Sequence, residues 1–356
     1  MALLYQIGSD ASRFRGQDRS AYAGDRSNLM KANIRTLLGG SLGIAVSAAC
    51  IAVGAWRVDW EAATRAFDRV NLTTIGIGAA LLLLSFLCFS QRWRCAIAPP
   101  KPGLLQLFPY LMIGYMANAI LPMRPGDLVR AALLRTHLKK SLSAAFSSLV
   151  IERVFDLLVV VLIGYVATLF FPLPDAVEAS LIFFAVAGLA VLGGVVLASA
   201  RNTTAIKLRG RLARRMPREI VNFARQKAQP FLAEIRVIHN ISGVTQVVFW
   251  TILAWALLIS AIAAFLDALQ IETPLYAPAV VVVVTSLGAA IPSSPAALGV
   301  YHALFVFALS LFGVPTPLGV AAALIAHTTT ITLQVSLGAL SSAILGIDVL
   351  RSRTPT

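Results

Sequence analysis

The chain has 356 residues, 58% of them hydrophobic and 13% charged, with a mean hydropathy of +0.80. A soluble domain carries about a quarter charged residues and under half apolar ones, so this composition excludes a soluble globular enzyme, a disordered chain and a nucleic-acid binder. The 30 Lys and Arg against 16 Asp and Glu give a net charge of +14. These basic residues lie between apolar runs, so they read as orientation toward anionic headgroups rather than as a nucleic-acid footprint.

Residues 1–33 are polar and mixed in charge (Asp10, Arg13, Arg15, Asp18, Asp25, Arg26). They are too long and too acidic for a signal-peptide n-region and predict a mobile cytoplasmic tail. A transmembrane domain is expected over 34–347. Its uncharged runs begin with 36–56 (21 residues) and 72–90 (19 residues), each near the ~20 needed to cross the hydrocarbon. The run 104–121 has 18 residues but contains Pro109 and stops at Pro122. The segment 141–171 is long enough to span, yet carries Glu152, Arg153 and Asp156. Runs of 22 residues at 179–200 and 26 at 241–266 follow. From Thr273 to Ile347, 75 residues pass without a charge, interrupted by Pro292, Pro295, Pro315 and Pro317. Residues 348–356 read as a C-terminal cytoplasmic tail. Cys50, Cys88 and Cys95 show no metal or disulfide spacing, and neither a metal nor a cofactor is expected.

Basic residues set the orientation. The loop 201–240 holds ten Lys and Arg against Glu219 and Glu234, which predicts a cytoplasmic loop. The loops 91–103 (Arg92, Arg94, Lys101) and 122–140 (Arg124, Arg130, Arg135, Lys139, Lys140) read as inside too. The acidic connections with Asp175, Glu178, Asp267 and Glu272 suit the outside. Loops 91–103 and 122–140 both favour the inside, yet one apolar run separates them. A segment that enters and returns on the same side resolves this, and the same logic applies in mirror image at 279–313. The expected architecture is therefore an all-α polytopic protein of about six full spans plus two re-entrant helical hairpins. Both termini would be cytoplasmic, in the cell (inner) membrane. Eight plain transmembrane helices are the alternative.

The two hairpin tips are related in sequence. Residues 121–128 (Leu-Pro-Met-Arg-Pro-Gly-Asp-Leu) align at a constant offset with 291–298 (Ile-Pro-Ser-Ser-Pro-Ala-Ala-Leu). With opposite entry sides this predicts an inverted repeat, and paired Pro-interrupted segments point to a transporter binding site. Ser294-Pro295 reads as a helix start, as does Arg124-Pro125-Gly126-Asp127. Two helix N-termini facing one another would offer unpaired N–H groups and dipole-positive ends to an anion, with phosphate the obvious guest. Prolines acting merely as kinks are the alternative.

Charges within the apolar runs sharpen this reading. Asp127 and Arg130 can pair on one helix face, and Arg124 stands at the tip, where it would grip a phosphate oxygen. Glu152 and Asp156 share a face, with Arg153 about a quarter-turn away. Charges at mid-membrane cost ~2.5–3.5 kcal/mol each on the lenient scale, so these should face the bundle and pair with Arg124 or Arg130. A buried ion network that only fixes helix packing is the competing reading. His302 and His327 are the groups of the second half that titrate near neutrality; such histidines usually bond a neighbouring carbonyl, although Tyr301 and His302 lie close enough to the second tip to line its cavity. The 201–240 loop interleaves Ile206, Leu208, Leu212, Ile220, Phe223 and Phe231 with its bases. This predicts interfacial helices on anionic headgroups, or else a solvated helical linker. Walker A, HExxH and Gly-x-Ser-x-Gly motifs are missing from the sequence.

The run Leu121-Pro-x-Arg-Pro-Gly-Asp-Leu-Val-Arg-Ala131, followed by Glu152-Arg153-x-x-Asp156, resembles the transmembrane region of lysylphosphatidylglycerol synthases and the stand-alone flippase-like proteins related to them. Ala290-Ile-Pro-Ser-Ser-Pro-x-x-Leu-Gly-Val-Tyr301, with Phe312-Gly313 downstream, is similar to that family's second pattern. The resemblance covers about residues 36–347. One departure is Ala296-Ala297, where glycine is expected. The resemblance implies translocation of an anionic phospholipid or a polyprenyl-phosphate-linked lipid between leaflets. Synthase-type members carry a soluble aminoacyl-transferase domain after the membrane part. The chain ends at Thr356 without one, so synthase activity is not expected.

The candidate headgroup site then comprises Arg124, Gly126, Asp127, Arg130, Glu152, Arg153 and Asp156, together with Ser293, Ser294, Gly299, Tyr301 and His302. Pro122, Pro125, Pro292 and Pro295 would shape the tips. Arg124 and Arg130 would bind phosphate, while Glu152 and Asp156 balance charge or take up a proton. Partners would be membrane lipids and, in one reading, a separately encoded lipid-modifying enzyme that the chain assists without transport. A membrane enzyme using a polyprenyl-phosphate sugar donor is a further alternative. It would rely on Asp59 and Glu61, which are surrounded by Arg57, Arg65 and Arg69.

Overall fold

A computed structural model describes residues 60–97, 99–121, 124–199, 241–288 and 295–346. The tails 1–33 and 348–356, the first apolar run 36–56 and the basic loop 201–240 lie outside the described residues. In chain order the elements are α1 (Trp60–Arg65), a 3-10 turn (Ala66–Arg69), α2 (Leu72–Ala96), α3 (Leu104–Ile120) and α4 (Gly126–Leu138). Then come α5 (Leu142–Thr168), α6 (Asp175–Ser199), α7 (Ile241–Ala268), α8 (Ala277–Gly288), a short 3-10 turn (Pro295–Ala297), α9 (Val300–Ser310) and α10 (Thr316–Leu345). The described residues contain helices and no strand. Helices α2, α6, α7 and α10 are each long and apolar enough to cross a bilayer. Helix α5 has 27 residues, about 40 Å at 1.5 Å per residue, long enough to cross, and buries Glu152 and most of Asp156. The chain is an all-α, multi-pass membrane protein.

Local chemistry fixes where these helices start. The Asn71 carboxamide accepts from the Thr73 and Thr74 N–H groups at 3.0 and 3.2 Å, and the Ser141 hydroxyl accepts from the Ala144 N–H at 3.0 Å, each satisfying donors the first turn leaves open. Helix α2 runs on to Ala96, six residues beyond the uncharged run that ends at Ser90. Arg92 is therefore a buried helix residue and not a loop cation, a correction to the charge-based reading of 91–103.

Helices α2 and α7 pair antiparallel. The Asn71 N–H donates to the Ala268 carbonyl at 3.0 Å at one end, and the Cys95 thiol donates to Gln246 Oε1 at 3.5 Å near the other. Small residues let helices close on one another, as lipid-embedded packing favours. A Cβ on Gly78 would meet the Phe265 ring at 2.4 Å, and one on Gly338 of α10 would meet Met116 of α3 at 2.4 Å. By contrast α6 keeps Ile182, Phe183, Val186 and Leu189 largely exposed, a face suited to acyl chains.

Two pairs of shorter helices pack as hairpins, α3 with α4 and α8 with α9. With 13, 12 and 11 residues, helices α4, α8 and α9 reach only about 17–20 Å, short of the ~30 Å hydrocarbon. In the first hairpin the Tyr110 and His137 rings lie 5.8 Å apart, and Lys140 Nζ donates to the Pro100 carbonyl at 2.6 Å, so the chain leaves and returns at the end where α2 finishes. In the second, Tyr276 before α8 and Phe312 after α9 meet at 5.8 Å, and both pack on Phe171, at the end where α7 finishes. Because α2 and α7 are antiparallel, the hairpins root at opposite ends of the bundle.

Candidate functional site

Helix α5 supplies Glu152, Arg153 and Asp156 within about one turn, and these meet Arg92 of α2 and Asp127 and Arg130 of α4. The Arg130 fork donates to both Glu152 oxygens, at 3.1 and 2.7 Å, and Arg92 Nη2 reaches the same carboxylate at 2.9 Å. Arg92 also forks onto Asp156, one contact being 3.2 Å, and the Trp255 indole N–H donates to Asp156 at 3.0 Å. Arg153 forks onto Asp127 at 2.9 Å, lies 3.9 Å from Asp156, and Asp127 is 3.4 Å from Arg130. Two rings back the buried cations. Arg130 lies 4.0 Å from the centre of the Trp93 ring and Arg92 lies 4.8 Å from that of Phe89. Trp93 is in turn pinned by its N–H donating to Ser148 Oγ at 3.1 Å.

The network has two tiers. Arg92, Arg130 and Glu152 have side chains only 1–2% exposed, which is tolerable only because each charge is paired. Arg153 and Asp127 are 55% and 37% exposed, so their pairing is partly open to solvent. Arg130, expected to meet phosphate directly, instead lies behind Glu152 with its fork already filled. That expectation is corrected: Arg130 positions Glu152.

Above this network lies a cavity of about 350 Å³. Its polar wall is formed by Arg92, Glu152, Arg153 and Asp156, with Asn118 and Arg124 of the first tip, Tyr301 of α9, and His327, Thr330 and Gln334 of α10. Phe89, Leu258, Ile262, Val282 and Leu304 make the apolar part. Both hairpins contribute. Gly126 and Asp127 do not line the cavity themselves but bond to residues that do, Asn118 and Arg153.

The tips differ from expectation in detail. At the first, Arg124 adopts φ 53° and α4 begins at Gly126 after Pro125. The Gly126 N–H is not offered to a ligand, because it donates to Asn118 Oδ1 at 2.6 Å. A Cβ at Gly126 would sit 2.1 Å from the Gly114 carbonyl, so the hairpin closes only with glycine there. At the second tip Ser294-Pro295 does not start α9. Ala296, Ala297 and Gly299 have φ of 56°, 55° and 84°, a left-handed backbone that cannot continue a right-handed helix, and α9 starts at Val300. This explains why glycine would be expected at 296–297. The Ala296 carbonyl, freed from helical pairing, accepts from His327 Nε2 at 2.9 Å. His327 Nδ1 lies 3.4 Å from His302 Nε2, and Tyr301 stacks on His327 at 4.5 Å. Tyr301 therefore reaches the cavity, while His302 stands behind His327. Pro122, Pro292, Ser293 and Ser294 lie outside the described residues.

Arg92, Asn118, Trp255 and His327 were not among the candidate residues. One signal for Arg92 was available: two carboxylates on one face of α5 within an apolar run call for more than one cation. Among the described residues no group of His, Cys, Asp and Glu is arranged to hold a metal. Glu61 of the enzyme alternative sits exposed on α1, 3.7 Å from Arg65, and Asp59 lies outside the described residues.

Neither a curated protein nor a solved structure matches the chain. Residues 40–338 match the family model described as the lysylphosphatidylglycerol synthase TM region. That stretch holds both hairpins and every charged residue of the network, and the chain belongs to that family.

Proposed function

We propose that this chain moves an anionic phospholipid-type molecule, a phospholipid or a polyprenyl-phosphate-linked lipid, between leaflets, with its phosphate in the cavity between the two hairpins. Family membership supports a membrane-lipid function in general. The observation that carries the specific reading is the charge of the cavity wall: Arg92, Arg124 and Arg153 against Glu152 and Asp156. With Arg130 and Asp127 behind them the balance stays one positive charge in excess, which an anionic headgroup would neutralise. The apolar side of the cavity suits the glycerol and acyl portion.

In this reading α3–α4 and α8–α9 are re-entrant hairpins of an inverted repeat, entering from opposite leaflets, and both termini and the 201–240 loop are cytoplasmic. The rooting of the hairpins at opposite ends of the bundle and their short helices support this. The basic loop would rest on anionic headgroups. The chain makes and breaks no covalent bond and acts as a transporter.

Arg124 and Arg153 would grip the phosphate, Arg153 by exchanging Asp127 for it. Reconstituted vesicles carrying fluorescent phosphatidylglycerol test the proposal. Wild-type protein should flip the lipid, and Arg124→Ala and Arg153→Ala should each slow it about tenfold, the loss of one charge-assisted contact. Flipping no faster than in protein-free vesicles would overturn the reading.

A further inference from the structure

Two imidazoles sit beside the cavity with their hydrogen-bond roles already determined. A carbonyl oxygen only accepts, so the 2.9 Å contact from His327 Nε2 to the Ala296 carbonyl requires the proton on Nε2. In neutral His327 the other nitrogen, Nδ1, is then a bare acceptor. Its neighbour at 3.4 Å, His302 Nε2, must therefore donate, which leaves His302 Nδ1 as the basic nitrogen of the pair. A proton from solvent can add there without breaking either hydrogen bond, and the bond between the rings becomes charge-assisted. A second proton would have to enter at His327 Nδ1, setting N–H against N–H and cation against cation at a ring separation of 4.8 Å.

We infer that His302 and His327 form a one-proton site whose occupancy is linked to the phosphate in the same cavity, so that an anionic lipid and a proton bind together. This rests on the lipid reading above and adds a second, cotransported ligand to it. The charged and ionisable groups that share the cavity wall are Tyr115 of α3, Arg124 of the first tip, Arg92 of α2, and Glu152, Arg153 and Asp156 of α5. Both carboxylates are already held by Arg92 or Arg130, and Tyr301 packs on the pair through its ring. Helices α7 and α8 contribute Trp255, Thr285 and Ser286, which do not ionise in this range. Glu61, Arg65 and Asp68, on the α1 segment that packs against α10, are exposed. The imidazole pair, His327 in the wall and His302 behind it, is thus the neutral, proton-accepting element beside a wall that is otherwise fixed in charge. Positive charge there favours the anion, and by reciprocity the anion favours the proton.

The test measures binding of dihexanoylphosphatidylglycerol to the detergent-solubilised full chain across a pH series, with Trp255 fluorescence as readout and dihexanoylphosphatidylcholine as the zwitterionic control. One linked proton predicts an affinity that falls about tenfold per pH unit as pH rises through the linked window. The control lipid should show a flat profile. His302→Gln should flatten the phosphatidylglycerol profile as well. If that variant does not fold, His302→Asn, which is equally unable to take up a proton, gives the same reading. Tight but pH-independent binding by the wild type would overturn the proton site and leave the transport proposal standing, as would a slope that survives once the His302 imidazole is removed. Failure to prefer phosphatidylglycerol over phosphatidylcholine at any pH would overturn both.

Discussion

Removing the carboxylate of Glu152 would leave Arg92 and Arg130 facing one another in a nearly dry site. Breaking a buried pair from one side costs about 3–5 kcal/mol, so Glu152→Gln should lower stability by that order in a thermal melt of the detergent-solubilised protein. Arg153→Ala removes a partner from a pair that is half open to solvent, and such pairs contribute about 1 kcal/mol or less. Its melt should stay near wild type even though its flipping rate falls. Equal destabilisation by the two substitutions would mean that the network has no mobile tier. Much of this chemistry was legible in the sequence, because charges inside an apolar run must find partners. On that ground the α5 charges were matched to Arg124 or Arg130, and the structure puts Arg130 on Glu152. Arg92 could not be read so easily: it follows the last residue of an uncharged run by two positions, where helix and loop look alike.

Hairpins are where helix geometry and residue choice meet. Gly126 is required because the Gly114 carbonyl occupies the space of a side chain. Gly126→Ala should cost about 1–3 kcal/mol by overpacking, outweighing the gain of up to about 1 kcal/mol that alanine brings to a helix interior. Gly76 of α2 has open space around it, and Gly76→Ala should be neutral or slightly stabilising in the same melt. The re-entrant reading is tested by single cysteines placed at Lys101 and Lys139, flanking the first hairpin, and at Glu272 and Thr316, flanking the second. A membrane-impermeant thiol reagent should label the first two from the cytoplasmic side and the other two from the outside. Labelling of the Lys101 and Lys139 positions from opposite sides would make α3–α4 a single net crossing instead of a hairpin. Proline and charge patterns were enough to mark both hairpins. The Pro-Gly start at the first tip held, although its Gly126 N–H is taken by Asn118, whereas the Ser-Pro start at the second gave way to left-handed residues. Such contacts arise from tertiary approach and leave no local signature.

At the scale of the molecule, composition alone separated membrane from soluble chemistry, and the lengths of the uncharged runs marked spans of which the described residues contain α2, α6, α7 and α10 as long apolar helices. The cavity could not be read that way. Its walls come from α2, α3, α5, α7, α8, α9 and α10, and no spacing rule joins residues so far apart in the chain. One member of that wall has a further consequence. Helix α10 has 30 residues, about 45 Å of rod in a hydrocarbon layer of ~30 Å. It must lean or project to fit. Met112 and Met116 of α3 bear on Gly338, and Tyr301 of α9 bears on His327, so a change in its lean carries parts of both hairpins with it. Bilayer thickness thereby becomes a mechanical input to the spacing of the two tips.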